Sequence, residues 1–114
     1  MFDFEKFPVT LETKRFLNKI NPILKINFNS NLKNQLARAS SSILLNITEG
    51  AGRYTDKDKR SFYIIAKASA YECISIIFIL KEYKTIDEKT YKNLYNNLYL
   101  ISKMLTGLIK KFTN

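Results

Sequence analysis

The sequence predicts an all-α fold, an up-down-up-down antiparallel four-helix bundle that forms a single domain over residues 1–114. Of the 114 residues, 46% are apolar, which is enough for one core. Only three Gly and two Pro provide turn signals, and this disfavours a β-sandwich or barrel. Apolar residues recur at helical spacing in four segments, roughly residues 9–20, 31–53, 55–84 and 87–112.

The first two segments are bounded by helix start and stop signals. Asn21-Pro22 is expected to break or kink the first, because proline cannot donate an intrahelical hydrogen bond. Asn29 or Ser30 is the expected N-cap of the second. Gly50 and Gly52 then let the chain reverse, one of them in the left-handed conformation. The expected inward-facing residues are Leu11, Phe16, Leu17 and Ile20 in the first segment, and Leu32, Leu36, Ala39, Ile43, Ile47 and Gly50 in the second.

The last two segments have clearer N-termini. Thr55 is the expected cap of the third, with acidic residues in its first turn. Thr85 and Glu88 form an expected capping box before the fourth. The inward residues of the third are expected to be Phe62, Ala66, Ser69, Cys73, Ile76, Leu80 and Tyr83. The fourth has a heptad pattern of Tyr91, Leu94, Leu98, Ile101, Leu105, Leu108 and Phe112.

The third segment also carries apolar residues away from its inward face. From Cys73 to Leu80 only Ser75 is polar. A helix that is apolar all round is covered on more than one side, and in so small a bundle the simplest second cover is another copy of the chain. The expected oligomer interface contains Ile74, Ile77 and Phe78.

Composition excludes several kinds of chemistry. The chain has no His and a single Cys, which excludes Ser-His-Asp catalysis, His-ligated metals and disulfide frameworks. Cys73 lies in an apolar run and is expected in the core. We therefore predict no enzyme activity, no metal and no cofactor. The first residues do not resemble a signal peptide, and Lys67 and Glu72 make membrane insertion of the third segment costly. The expected location is cytoplasmic, away from membranes.

The net charge of +9 favours polyanionic partners. The excess is spread along the chain, so a dense patch requires folding or assembly. Two groups of cations are candidates for nucleic-acid contact, although either is also consistent with a simple solvated surface. One surrounds the start of the third helix and contains Arg53, Lys57, Lys59 and Arg60. The other lies along the fourth helix and contains Lys89, Lys92, Lys103 and Lys110.

Polar residues also occur near the inward faces of the second and third helices. Asn46 follows Ala39 by seven residues, in the core register. Because an unpaired polar group there would be destabilising, we predict a buried or half-buried structural cluster rather than a catalytic site. Its expected members are Arg38, Asn46, Glu49, Ser69 and Glu72.

The string Asn46-Ile47-Thr48-Glu49-Gly50-Ala51-Gly52-Arg53 resembles that of a known family. Further matching residues are Gln35-Leu36, Arg38-Ala39, Ser42-Ile43, Phe62, Ala66, Ser69, Glu72, Leu105 and Gly107-Leu108-Ile109. The chain is similar to the small proteins encoded by intervening sequences in 23S ribosomal RNA genes, which are related to the accessory variability determinant (Avd) proteins of diversity-generating retroelements. The resemblance implies a bundle that assembles into a homopentameric ring and has no catalytic activity.

Two functions follow from charge and resemblance. The first is a non-enzymatic oligomer that binds RNA or DNA through its basic surface. The alternative is a protein-interaction scaffold or accessory subunit for a nucleic-acid-processing protein such as a reverse transcriptase, without direct contact to nucleic acid. Binding of purified protein to generic RNA and DNA at two salt concentrations distinguishes them.

Overall fold

A computed structural model describes residues 1–114 and contains four α-helices and no β-strand. A short 3-10 helix, Asp3–Lys6, precedes them. The all-helical fold expected from the sequence is confirmed, in a body that measures 43 × 23 × 20 Å. The four helices are α1 Pro8–Ile23, α2 Ser30–Ala51, α3 Asp56–Glu82 and α4 Glu88–Lys111.

Hydrogen bonds bring three helix ends together at one end of the body. Arg60 Nη1 at the start of α3 donates to the carbonyl of Phe112 just after α4, at 2.9 Å. Lys59 Nζ donates to the carbonyl of Ala51, the last residue of α2, at 3.0 Å. Residues 50–60 and 107–112 are called the basic end below. These contacts are those of antiparallel neighbours, in keeping with the expected up-down-up-down arrangement.

The first helix continues past the proline that was expected to break it. α1 includes Pro22 and ends at Ile23, so the expected break after residue 20 is wrong. A proline this close to the helix end removes only one hydrogen bond, the one to the carbonyl of Asn18. Because Pro22 and Asn18 are both exposed, water can solvate that carbonyl. Of the residues expected to face inward, Phe16 and Ile20 are buried, Leu17 is half-buried and Leu11 is exposed.

The second helix begins at a side-chain cap. Asn29 Oδ1 accepts a hydrogen bond from the backbone N–H of Leu32 at 3.0 Å, so Asn29 is the N-cap and Ser30 is the first helical residue. The expected inward face is confirmed for five residues, and Leu32 is half-buried. The five buried residues are Leu36, Ala39, Ile43, Ile47 and Gly50.

The reversal after α2 does not use left-handed glycine. α2 ends at Ala51, two residues earlier than expected. Gly52 has a φ of −83°, and no glycine in the chain has a positive φ. The expected left-handed glycine is therefore wrong, because Gly52 N–H donates to the carbonyl of Thr48 and closes a right-handed turn instead.

The third helix begins at the expected cap. Thr55 Oγ1 accepts from the backbone N–H of Asp58 at 3.1 Å. Tyr83 is wrong as an inward residue, since it is the C-cap and is 70% exposed, and Phe62 is only half-buried. The other expected residues of this face are buried, namely Ala66, Ser69, Cys73, Ile76 and Leu80.

The fourth helix is capped by a residue other than the expected one. Asp87 Oδ1 accepts from the backbone N–H of Thr90 at 2.7 Å, so Asp87 takes the place expected for Thr85. Hydrogen bonds from Thr90, first from its side chain and then from its backbone, lower the pKa of Asp87. The heptad face is confirmed, with Leu94, Leu98, Ile101 and Leu105 buried and Tyr91, Leu108 and Phe112 half-buried.

A non-glycine residue in the left-handed region makes the turn between α3 and α4. Lys84 has a φ of 60°. The backbone N–H of the next residue, Thr85, returns to the carbonyl of Leu80 at 2.9 Å. This hydrogen bond satisfies one of the last carbonyls of α3, in the pattern usual for helix ends.

A buried polar network joins α1 to α4. The Glu12 carboxylate is buried; it accepts from Asn97 Nδ2 and, at 3.0 Å, from Arg15 Nη1. Asn97 Oδ1 accepts in turn from Lys19 Nζ at 2.9 Å. No polar residue of this network figured in the sequence analysis. The network links the two helices, and loss of a partner would leave a buried carboxylate with fewer hydrogen bonds.

The four helices enclose one cluster of 20 buried apolar residues. α3 contributes more residues to this cluster than any other helix. It is also the single helix that is long and apolar enough, by length and composition, to cross a membrane. Eight of its residues are buried in the bundle. Such a core helix passes the same test as a membrane span.

Candidate nucleic-acid interface and assembly face

The predicted polar cluster divides into an inner and an outer part. Inside, Ser42 Oγ and Ser69 Oγ are 2.8 Å apart and link α2 to α3. Asn46 Nδ2 donates to the carbonyl and the hydroxyl of Ser42, at 2.8 and 3.0 Å. Asn46 is half-buried and Ser69 is buried. These groups satisfy one another across the helix pair, so their arrangement serves packing.

The charged residues that were expected in the cluster lie on the surface of the bundle instead. Arg38 Nη2 is 3.9 Å from Glu72 Oε2, and Arg53 Nη2 is 3.9 Å from Glu49 Oε1. All four side chains are at least 43% exposed, so the prediction of a buried or half-buried cluster is wrong for Arg38, Glu49 and Glu72. Exposed pairs of this kind contribute little to stability.

Gly50 allows α2 and α3 to approach closely. A Cβ atom built on Gly50 would lie 2.8 Å from Tyr63 Cε1 and 3.2 Å from the carbonyl oxygen of Lys59. The Tyr63 ring is fully buried, and burial raises the pKa of its hydroxyl. A side chain at this position would require the buried ring or the backbone of Lys59 to shift. Glycine is therefore needed here for space rather than for an unusual φ.

Gly50→Ala is expected to destabilise the fold by about 1–3 kcal/mol, because overpacking forces buried groups out of position. Gly107→Ala is the matched control, since a Cβ there meets nothing within 4 Å and alanine favours the helix by about 0.5–1 kcal/mol. Thermal melting followed by circular dichroism measures both. A Gly50→Ala melting point equal to that of the natural sequence would contradict the close approach.

The structure brings five of the eight predicted nucleic-acid-binding residues to the basic end. Arg53 stacks on the Phe62 ring, 4.5 Å from its centroid, and Lys57 and Lys110 are exposed without an acidic partner within 4.0 Å. Lys59 and Arg60 are half-buried and engaged in the carbonyl contacts described above. Asp56 and Asp58, both exposed, lie in the same region and reduce its charge.

The remaining predicted cations are separated from that group. Lys89 and Lys92 lie in the first turns of α4, and at 1.5 Å per residue Lys89 is about 32 Å from Lys110. Lys103 lies between them, with its Nζ 5.4 Å from the centroid of the Tyr99 ring. The predicted stripe along α4 is thus extended over the length of the bundle.

An exposed apolar surface runs along α3 and α4. Ile64, Tyr71 and Phe78 recur every seven residues on α3, and each is about half exposed (48–58%). Tyr95 and Tyr99 of α4 share a groove of about 340 Å³ with Tyr71. Ile64, Tyr71, Phe78, Tyr95 and Tyr99 are called the aromatic face below. Exposed apolar residues grouped along two neighbouring helices are typical of protein contact surfaces.

The predicted oligomer interface is wrong for one residue. Ile77 is fully buried in the core of its own chain, so it cannot contact a partner directly. Ile74 is half-buried at the groove, and Phe78 is exposed on the aromatic face. Position 77 lies about 140° around the helix from position 64, towards the other helices.

The thiol of Cys73 is inaccessible to solvent. Cys73 is fully buried; desolvation, with a smaller contribution from the charge of Glu72, raises its pKa to about 12. The thiol is thus protonated at neutral pH. No group of three or more His, Cys, Asp or Glu residues is arranged to hold a metal ion.

Comparison with known proteins places the chain in a family. A model of the 23S rRNA-intervening sequence protein family matches residues 5–107. The chain belongs to this family. Among curated proteins, none matches it. The crystal structure of a protein of unknown function from the S23 ribosomal protein family of Bacteroides thetaiotaomicron is similar, with a TM-score of 0.82 and 24% identity over 90% of this chain and 98% of that one. At this identity the likeness concerns the fold alone.

In this 23S rRNA-intervening sequence protein, the string at residues 46–53 serves packing. Asn46 bonds to Ser42, which is linked to α3, and Gly50 admits the Tyr63 ring. Arg53 covers Phe62. The residues that carry the family resemblance therefore hold α2 against α3, and the exposed cations lie mostly outside the string.

Proposed function

We propose that this protein is a non-enzymatic, self-assembling subunit that binds nucleic acid through its basic end. The observation that supports this most directly is that Arg53, Lys57 and Lys110 belong to helix ends that meet at the basic end of a chain with a net charge of +9. Phosphate backbones attract such groups through release of counterions. The absence of a cofactor and of a metal is part of this proposal.

The chemistry of the chain supports a non-enzymatic role. General acid–base or nucleophilic catalysis needs an accessible group with a suitable pKa and a partner at hydrogen-bond distance. The chain has no His, and its Cys73 thiol is buried with a raised pKa. The exposed carboxylates Glu49 and Glu72 are paired with arginines.

The aromatic face supports self-assembly. Its five side chains leave apolar surface in water. The three of them on α3 recur every seven residues, a spacing that suits packing against another helix. Ser102 lies beside the groove, and its buried Oγ has no hydrogen-bond partner within the chain. We propose that the assembly is the homopentameric ring that the resemblance to 23S rRNA intervening-sequence and Avd proteins implies.

Assembly would strengthen the attraction for polyanions. Five copies of a chain with charge +9 carry a formal charge of +45, and repeated basic ends present several sites to one strand. Linked sites raise the apparent affinity without new contacts. The proposed binding is therefore weak for one subunit, strong for the ring, and sensitive to salt.

The triple variant Arg53→Gln, Lys57→Gln and Lys110→Gln tests the basic end. We expect weaker binding to generic RNA and DNA, and a log–log salt dependence that is shallower by about one for each phosphate that the variant no longer neutralises. The matched control is Lys14→Gln, Lys25→Gln and Lys84→Gln, which removes the same charge from exposed positions outside both groups of candidate cations. Fluorescence anisotropy at two salt concentrations measures both variants.

The comparison of the two triple variants separates the possibilities. Equal weakening in both would mean that net charge, rather than the basic end, determines binding. No binding by the natural sequence at low salt would contradict nucleic-acid binding and favour the scaffold function, in which an acidic protein or a nucleic-acid-processing enzyme is the partner.

A further inference from the structure

A half-open cavity lies at the basic end, and its lining contains none of Arg53, Lys57 and Lys110. Its volume is about 900 Å³, within the range of small-molecule sites. The N-terminal 3-10 helix covers one side with Phe4 and Phe7, and the ends of α3 and α4 supply Tyr63 and Phe112. The wall is thus largely apolar and aromatic.

One cation in this wall has no acidic partner. Lys59 is half-buried, and its Nζ donates a single hydrogen bond, to the carbonyl of Ala51 at 3.0 Å. No carboxylate lies within 4.0 Å of it, and its other neighbour is the Phe112 ring, whose centroid is 6.0 Å from Nζ. An ammonium group has three N–H donors. Two of them remain for a ligand.

The charges around the cavity define the ligand. Lys111 and Asp3 also line it, and both are exposed, so the lining carries one net positive charge. No arginine is present in the wall to form the forked contacts typical of phosphate sites. A lining with one net positive charge, in which Lys59 is the half-buried ammonium, suits a monoanionic head with an apolar body.

We propose that this cavity binds an ionised medium-chain carboxylic acid. The carboxylate pairs with Lys59 Nζ, and the alkyl chain lies against the aromatic wall between the 3-10 helix and α4. The attraction combines removal of apolar surface from water with a charge-assisted hydrogen bond in a partly desolvated place. The site belongs to each subunit and requires neither assembly nor nucleic acid.

Isothermal titration calorimetry of the full chain tests this with three probes that share one alkyl chain: decanoate, decanol and decyltrimethylammonium. We expect decanoate to bind about tenfold more tightly than decanol, from the hydrogen bond to a charged group, and the cation to bind least. No binding of decanoate, or equal binding of decanoate and the cation, would overturn the proposal.

Two variants locate the site. Lys59→Met is expected to remove the advantage of decanoate over decanol, whereas Lys57→Met, exposed on the same turn and outside the cavity wall, keeps it. Gly107→Phe is expected to abolish binding of both, because Gly107 lines the cavity and has open space at its Cβ. Circular dichroism checks that each variant folds. If Lys59→Met does not fold, Gly107→Phe still decides, since unchanged decanoate binding in it would refute the assignment.

Discussion

Replacement of Tyr71 and Phe78 by glutamate is expected to convert the proposed assembly into a 13.3 kDa monomer. The two side chains are 58% and 48% exposed and lie seven residues apart on the aromatic face. In the assembly they would be buried against another copy, where aromatic anchors dominate binding energy. Two carboxylates at each such interface would be desolvated without partners, which is strongly unfavourable. Light scattering coupled to size-exclusion chromatography measures the mass.

The control for this experiment introduces the same charge elsewhere. Tyr54→Glu with Tyr83→Glu adds two carboxylates at positions that are 98% and 70% exposed and lie outside the aromatic face. This variant should keep the mass of the natural sequence. If the natural sequence is itself monomeric at high concentration, or if the first variant keeps its mass, the proposed assembly through this face is incorrect.

Ile77 is buried and Ile64 is exposed, and this difference shows why hydrophobic periodicity in the sequence could not predict the aromatic face. α3 is apolar nearly all round, so the sequence pattern predicts most of its inward residues without indicating which of the additional apolar residues also meet its own chain. The packing of α2 and α4 against α3 determines which side is buried, and it leaves Ile77 in the core and Ile64 exposed. On α4 a single apolar stripe leaves no such ambiguity, and its heptad face was predicted correctly.

The starts of α2 and α3 were predictable to within two residues from the capping rule. Thr55 caps α3 as expected, and Asn29, one of the two expected candidates, caps α2, because each offers a side-chain acceptor to a free N–H group. At α4 two nearby acceptors competed, and Asp87 caps the helix in place of Thr85. The left-handed Lys84 lacks any sequence signal, since glycine is the usual residue for that conformation.

The candidate site was predictable as a set of residues but not as an arrangement. The cations near residues 53–60 are neighbours in sequence and remain neighbours in space. That Lys110 lies at the same end of the bundle depends on the antiparallel pairing of α3 and α4, which is visible in the Arg60–Phe112 hydrogen bond. The cavity beside Lys59 depends on the ends of all four α-helices and the 3-10 helix together, which no local pattern encodes.

The Glu12–Asn97 network leads to the second prediction with a large effect. Asn97→Ala is expected to lower the free energy of unfolding by about 2–3 kcal/mol. The substitution leaves the buried Glu12 carboxylate with Arg15 alone and removes the acceptor of Lys19. Urea unfolding at one fixed protein concentration measures the change, because assembly makes apparent stability depend on concentration.

Two further variants separate the effect of the buried Glu12 charge on stability from the effect of side-chain packing. Asn96→Ala, at the exposed neighbouring position, should change the free energy of unfolding by no more than about 0.5 kcal/mol. The double variant Glu12→Leu with Asn97→Leu should recover most of the stability, because apolar groups of similar size can replace a buried polar pair at little cost. Glu12 is 85 residues from Asn97 in sequence, so a recovery in the double variant would show that the penalty arises from an unpaired carboxylate between α1 and α4. A double variant less stable than Asn97→Ala would instead mean that the network itself is required to hold these helices in register.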